Sequence, residues 1–206
     1  MKIAIDGPAG SGKSSIAKEI ANRLEILYID TGAMYRAITL KLLRADESDY
    51  EKILSETKIN FDGDKIFLDG RDVSKEIREN KISNKTSEFS KKKIIRDYLV
   101  KMQREIAKDR DVVMEGRDIG SVVLKDAEYK FFLTADVETR AMRRYKQLAD
   151  DSLNFEDVLA DLKVRDYNDS HRENSPLIKT DDAILIDSTD LNAEETIEKI
   201  ISYIKR

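Results

Sequence analysis

The stretch Gly7-Pro8-Ala9-Gly10-Ser11-Gly12-Lys13-Ser14 restricts this chain more than any other, because it fits the pattern G-x-x-x-x-G-K-[ST]. Before it, Lys2-Ile3-Ala4-Ile5 reads as a short buried strand. After it, Ile16, Ile20 and Leu24 fall four apart beside Ala17 and Ala21, which is one face of a helix. Strand, glycine loop and helix together form the context a phosphate-binding loop requires. The glycines let the backbone turn tightly and present consecutive N–H groups to an anion, and the helix adds its own unpaired N–H groups. Lys13 then reaches the β- and γ-phosphates, and the Ser14 hydroxyl can hold Mg²⁺. The chain is therefore expected to bind a nucleoside triphosphate.

Further apolar runs follow at 26–29, 112–114, 129–133 and 183–186, separated by helical patterns. With the first, they make five strands of a doubly wound parallel α/β sheet. The 206 residues suit one such domain with an insertion. That insertion is visible at 57–73: Lys58-Ile59-Asn60-Phe61 and Lys65-Ile66-Phe67-Leu68 flank Asp62-Gly63-Asp64, a hairpin around an Asp-Gly turn. Asp69-Gly70 suggests a further turn and a third short strand. From Ser74 to Arg110 the pattern is helical and highly charged, with Ile94, Ile95, Leu99, Met102 and Ile106 forming an apolar stripe that Lys91, Lys92 and Lys93 open, themselves reading as a solvated turn rather than a nucleic-acid patch. Asn154 to Asp157 looks like a helix start, and Asn192 with Glu195 a capping box.

Composition narrows the function classes. A net charge of −4 gives no whole-protein attraction to nucleic acid or to an anionic membrane. Cysteine is absent, so disulfides, thiolate metal sites and thiol nucleophiles are excluded. There is no secretory apolar region and no apolar run near ~18 residues, so a soluble cytoplasmic protein is expected. No His/Asp/Glu spacing suggests a metal held by the protein alone; the expected metal is Mg²⁺ arriving with the nucleotide. The single histidine, His171, reads as a surface residue.

The arginines point to what is done with the nucleotide. Arg36 lies one turn beyond the second apolar run, near Thr31, which reads as a helix N-cap, a crevice residue or both. Arg117 follows the third run, and Arg165 and Arg172 end a helix. Arg140, Arg143 and Arg144 share one helix face, where they repel one another unless anions are present. A phosphoryl group in flight needs charge compensation on donor, acceptor and transferred group, which arginine forks supply. The surplus favours transfer to an acceptor that is itself phosphorylated. A kinase of another small acceptor (UMP, AMP or a shikimate-like compound) and a nucleotide switch without turnover remain rivals at this point. The Asn-Lys-x-Asp stretch of guanine-reading switches does not occur.

Four stretches carry a resemblance: Ile5 to Lys13, Asp30-Thr31-Gly32-Ala33-Met34-Tyr35-Arg36, Gly116-Arg117-Asp118-Ile119-Gly120, and Arg165-Asp166 through Asp169 to Arg172. In these, over nearly its whole length, the chain resembles the bacterial cytidylate (CMP/dCMP) kinases, nucleoside monophosphate kinases of P-loop type. The resemblance implies a core (about 1–35, 110–135 and 160–206), an NMP-binding insertion (about 36–109) and a helical lid (about 136–159). It implies ATP on Gly7, Pro8, Ala9, Gly10, Ser11, Gly12, Lys13, Ser14 and Ser15, with Arg140, Arg143 and Arg144 closing over its phosphates. It assigns the acceptor phosphate to Arg36, Arg117 and Arg172, the cytosine to Ser87, Arg96 and Asp118, and the sugar side to Thr31, Arg165 and Asp169. Lys13, Arg36, Arg117 and Arg172 are then the catalytic set, and Ser14 the metal contact. Cytosine offers an amine donor and ring acceptors, so a carboxylate and an arginine suit it, whereas uracil reverses both groups. Glu115 stands where the family usually has Asp, and Thr31 where Ser is also common. The partners implied are ATP and CMP or dCMP, without nucleic acid or membrane, and a monomer is the default.

Overall fold

The computed structural model describes residues 1–45, 49–63, 65–148 and 154–205. Asp64 of the expected turn, residues 149–153 of the expected lid and residue 206 lie outside the described residues. The chain divides into two compact units, one formed by 1–29 with 106–206 and the other by 30–105.

The first unit is built on a parallel sheet. β1 (Lys2–Asp6) lies at its centre between β6 (Val112–Gly116) and β7 (Tyr129–Thr134), with β2 (Leu27–Asp30) and β8 (Ile184–Asp187) at the edges, in the order β2-β6-β1-β7-β8. The register pairs Ile3 with Val113 and Tyr129, and Ile5 with Glu115 and Phe131. Both central strands are buried along almost their whole length, as expected of parallel strands covered on two faces. α1 (Lys13–Leu24) presents Ile16, Ala17, Ile20 and Ala21 to a core shared with Ile3, Ile5, Phe131 and Leu133. α8 (Ala193–Tyr203) adds Ile197 and Ile200 to the same core. Outside it, Arg23 of α1 binds Glu19, Glu194 and Glu198 at 2.6–2.9 Å. α6 (Val137–Leu148) and α7 (Phe155–His171) pack on each other, and Asn154 caps α7 as its sequence suggested.

The five strands match the five apolar runs. One segment was not foreseen: Ile119–Val123, just after β6, forms a π-helical turn.

The second unit opens with α2 (Thr31–Arg44) and α3 (Tyr50–Ser55). An antiparallel sheet follows, β3 (Ile59–Asp62), β4 (Lys65–Leu68) and β5 (Arg71–Asp72), in which Ile59 pairs with Leu68 and Phe67 with Asp72. The stretch from Ser74 is not one helix but a 3₁₀ turn (Glu76–Arg78), α4 (Asn80–Phe89) and α5 (Lys93–Ala107). Met34, Ile38, Ile77, Ile95 and Leu99 are the unit's largest fully buried side chains. Among the described residues, no helix is long and apolar enough to cross a membrane.

Candidate active site

β1 delivers the chain into the phosphate loop. Gly7 has φ +154°, and a Cβ there would lie 2.0 Å from the Leu133 carbonyl oxygen, so no other residue fits. Gly12 has φ +86° and is the N-cap of α1. No side chain caps that helix, which leaves its first N–H groups facing the loop. Lys13 is buried and folds back to donate to the Pro8 carbonyl (2.7 Å) and the Ser11 hydroxyl (3.2 Å). Burial is the main force lowering its pKa to about 7. The Arg117 cation adds to the fall, while Glu115 and Asp6 oppose it.

Ser14 donates to Glu115 Oε1 at 2.5 Å, and the Tyr28 hydroxyl donates to the same oxygen at 3.2 Å. The longer glutamate at 115 therefore spans from β6 to the first turn of α1. Its role was not read from sequence; the only signal was its place at the end of a strand, before Gly116-Arg117-Asp118.

Arg117, Arg165 and Arg172 gather at Asp169. Arg117 Nε donates to Asp169 Oδ2 at 2.8 Å, and Arg172 lies 3.9 Å from Asp169 Oδ1 and 3.7 Å from Asp118 Oδ1. Burial works to raise the pKa of Asp169, but Arg117, Arg172 and Arg165 outweigh it and hold the group below the usual carboxylate range. Arg117, Asp118, Arg165, Asp169 and Arg172 are thus one charged cluster, close enough to Lys13 for Arg117 to act on its titration. Asp6, also buried, accepts from the Ile119 and Gly120 N–H groups at 2.8 and 2.7 Å and so fixes the π turn behind Asp118. Burial pushes the Asp6 carboxyl up to about 6, against those two hydrogen bonds.

In the second unit, the N-cap of α2 is Asp30 and not Thr31: its carboxylate accepts from Ala33 N–H at 2.7 Å, and Thr31 is the first helical residue, buried. Asp30 Oδ2 also accepts from Arg36 Nη2 at 3.1 Å. Arg96 is buried, donates to the Ser90 carbonyl at 3.2 Å and lies over the Tyr35 ring at 5.5 Å from its centroid. Ser87 is half-buried on α4.

The three arginines of α6 do not make the shared anion face that their spacing suggested. Arg140 is buried and donates to Ala135 O, Ala9 O and Asp166. Arg143 donates to Ser188 and to the Leu191 carbonyl, and Arg144 to Gln147. Their repulsion is relieved by protein carbonyls and one carboxylate, which a helical-face argument does not see. His171 is exposed and stacks on Tyr167 at 4.0 Å between centroids.

The family model described as cytidylate kinase matches residues 3–206. The cytidylate kinase of Caldanaerobacter subterraneus subsp. tengcongensis is 52% identical over 213 aligned residues, covering 100% of this chain and 95% of that protein. That of Thermosipho melanesiensis is 50% identical, covering 99% of this chain and 96% of its own. Among solved structures, a shikimate kinase from Bacteroides thetaiotaomicron superposes with a TM-score of 0.53 at 12% identity, over 98% of this chain and 97% of that one. A gluconokinase from Sinorhizobium meliloti 1021 does so with a TM-score of 0.51 at 14% identity, over 98% and 89%. These two share the fold. A match that runs the length of the chain at about half identity is decisive: the chain belongs to the cytidylate kinase family, which passes the γ-phosphoryl group of ATP to CMP or dCMP.

Proposed function

We propose that Lys13, Arg117, Arg172 and Arg36 carry the transfer, and that the remaining charged residues orient the two nucleotides. The observation that supports this most directly is the electrostatic reach of Arg117 to Lys13, because it ties the phosphate loop to the cluster at Asp169. In the reaction an oxygen of the CMP phosphate bonds to the γ-phosphorus as the bond to the β–γ bridging oxygen breaks, leaving ADP. Lys13 and the loop N–H groups neutralise the donor phosphates. Arg117 and Arg172, with Arg36 from the second unit, hold the acceptor phosphate in line and offset its charge. Asp169 aims Arg117 through its 2.8 Å bond and, with Thr31 and Arg165, faces the sugar. Asp118 accepts from the cytosine amine, while Arg96 and Ser87 meet the ring acceptors. Of the α6 arginines, Arg144 is the one assigned to ATP, Arg143 holds the turn at 188–191, and Arg140 serves the loop itself.

Ser14 and Glu115 present a hydroxyl and a carboxylate to the same spot, hard oxygen donors that fit Mg²⁺ carried in with the nucleotide. Held by these two groups, Mg²⁺ would supply charge compensation for the nucleotide phosphates. The unit formed by 30–105 acts as the monophosphate-binding insertion, and α6 with the start of α7 as the lid that keeps water out. A cytoplasmic monomer acting on free nucleotides, without nucleic acid or membrane, completes the reading.

Steady-state ADP release with CMP, dCMP, UMP and AMP tests it. CMP and dCMP are expected to be preferred, and Arg117→Ala to lower kcat by ~10²–10³, the scale for losing one donor to transition-state charge. An unchanged kcat removes Arg117 from the transfer, and a preference for UMP or AMP removes the base assignment.

A further inference from the structure

Ala9, in the turn of the phosphate loop, is held at both of its backbone polar atoms by side chains from elsewhere in the first unit. Its N–H donates to Asp166 Oδ1 at 3.3 Å, and its carbonyl accepts from Arg140 Nη1 at 2.9 Å. The same Arg140 Nη1 donates to Asp166 Oδ2 at 2.6 Å, and Arg140 Nε to the Ala135 carbonyl at 2.9 Å. The Ala9 methyl is buried with Ala141 of α6 and Leu162 of α7, against Phe155 and Leu159. The loop is therefore gripped by polar and apolar contacts from two helices at once. Arg140 is buried and Asp166 half-buried, so removing Asp166 leaves a buried cation without its carboxylate. Asp166 also sits on α7 between Arg165 and Asp169, and Asp169 holds Arg117. One helix thus bears on the donor loop and on the arginine cluster.

We propose that Arg140 and Asp166 are positioning residues that latch the phosphate loop at Ala9 to α6 and α7, and that α7 thereby couples acceptor binding to the shape of the donor loop. The coupling rests on the acceptor role proposed above for Arg165, Asp169 and Arg172; the latch does not. Coupling of this kind is reciprocal between the two ligands.

Calorimetric titration of the full-length protein with the Mg²⁺ complex of a β,γ-imido ATP analogue, with and without saturating CMP, reads both parts. In the unaltered protein CMP tightens analogue binding by ~5-fold or more, the lower end of typical coupling between sites. Arg140→Met and Asp166→Asn each weaken analogue binding without CMP by ~10-fold or more, as expected for losing a charge-assisted hydrogen bond. Both reduce the tightening by CMP to about 1, while the Kd for CMP itself moves by less than ~3-fold. Arg140→Lys keeps the charge and loses the planar fork, so it behaves like Arg140→Met and replaces it if that variant fails to fold. Analogue affinity within ~2-fold of the unaltered protein in these variants overturns the latch. A tightening factor that survives in them, or one of about 1 in the unaltered protein, overturns the coupling. Asp169→Ala separates the two readings: unchanged CMP affinity there removes the acceptor assignment and the coupling with it, and leaves the latch to be judged on analogue affinity alone.

Discussion

Lys13 shows how the surroundings of a single side chain set its chemistry. Burial and the Arg117 cation bring its pKa to about 7, so in the free protein it is charged below that pH and increasingly neutral above it. Phosphate favours the charged form. ATP binding is therefore expected to take up few protons near pH ~6 and to approach one as the pH rises to ~8. Titrations in buffers of different ionisation enthalpy count those protons. Uptake that is flat across this range, or that persists in Lys13→Arg, where the charge is permanent, would contradict the prediction. Lys13 itself was legible in the sequence because the glycine loop fixes its place. The contacts of Glu115, Asp6 and Arg140 were not, since each acts on residues over a hundred positions away: Ser14, the N–H groups at 119 and 120, and the Ala9 carbonyl. No local pattern encodes such a contact. Thr31 misled for the opposite reason, because two adjacent residues could both cap a helix and only the backbone decides for Asp30.

Among the elements, those whose stability is local were the ones read correctly. The capping box of α8 has Asn192 Oδ1 accepting from Glu195 N–H at 3.0 Å and Glu195 Oε2 accepting from Asn192 N–H at 2.8 Å. Replacing Asn192 by Ala removes one of these contacts and is expected to lower unfolding free energy by ~1 kcal/mol. The midpoint of a urea melt should fall with an unchanged slope; an unshifted midpoint would show that the cap contributes nothing. The hairpin at 59–68 and the buried parallel strands were likewise visible as turn chemistry and apolar runs. The segment from Ser74 to Arg110 reads as helical because it contains no glycine or proline, and Lys91, Lys92 and Lys93 read as a solvated turn within it. α4 stops at Phe89 and α5 begins at Lys93, so the break falls at that turn. The π turn after β6 was hidden because the Asp6 carboxylate claims two of its N–H groups from across the sheet.

For the molecule as a whole, the acceptor residues proposed above are spread along the chain, with Arg36, Ser87 and Arg96 within 30–105 and Arg117, Asp118, Asp169 and Arg172 after it. Hydrogen exchange read by mass spectrometry is therefore expected to show CMP slowing amides in both units, around 31–36 and 117–120, while ATP alone acts mainly on 7–15. Amides around either stretch that CMP leaves unchanged would remove that stretch from the proposed acceptor residues. The second unit is also one unbroken length of chain, leaving the first after Ile29 and rejoining it at Ile106. Two splice points thus suffice to exchange it for the corresponding stretch of a relative with a different nucleotide preference. The catalytic loop and its central strands need not be recut, so the share of base reading proposed for Ser87 and Arg96 travels as a single cassette, while Asp118 stays behind with the loop.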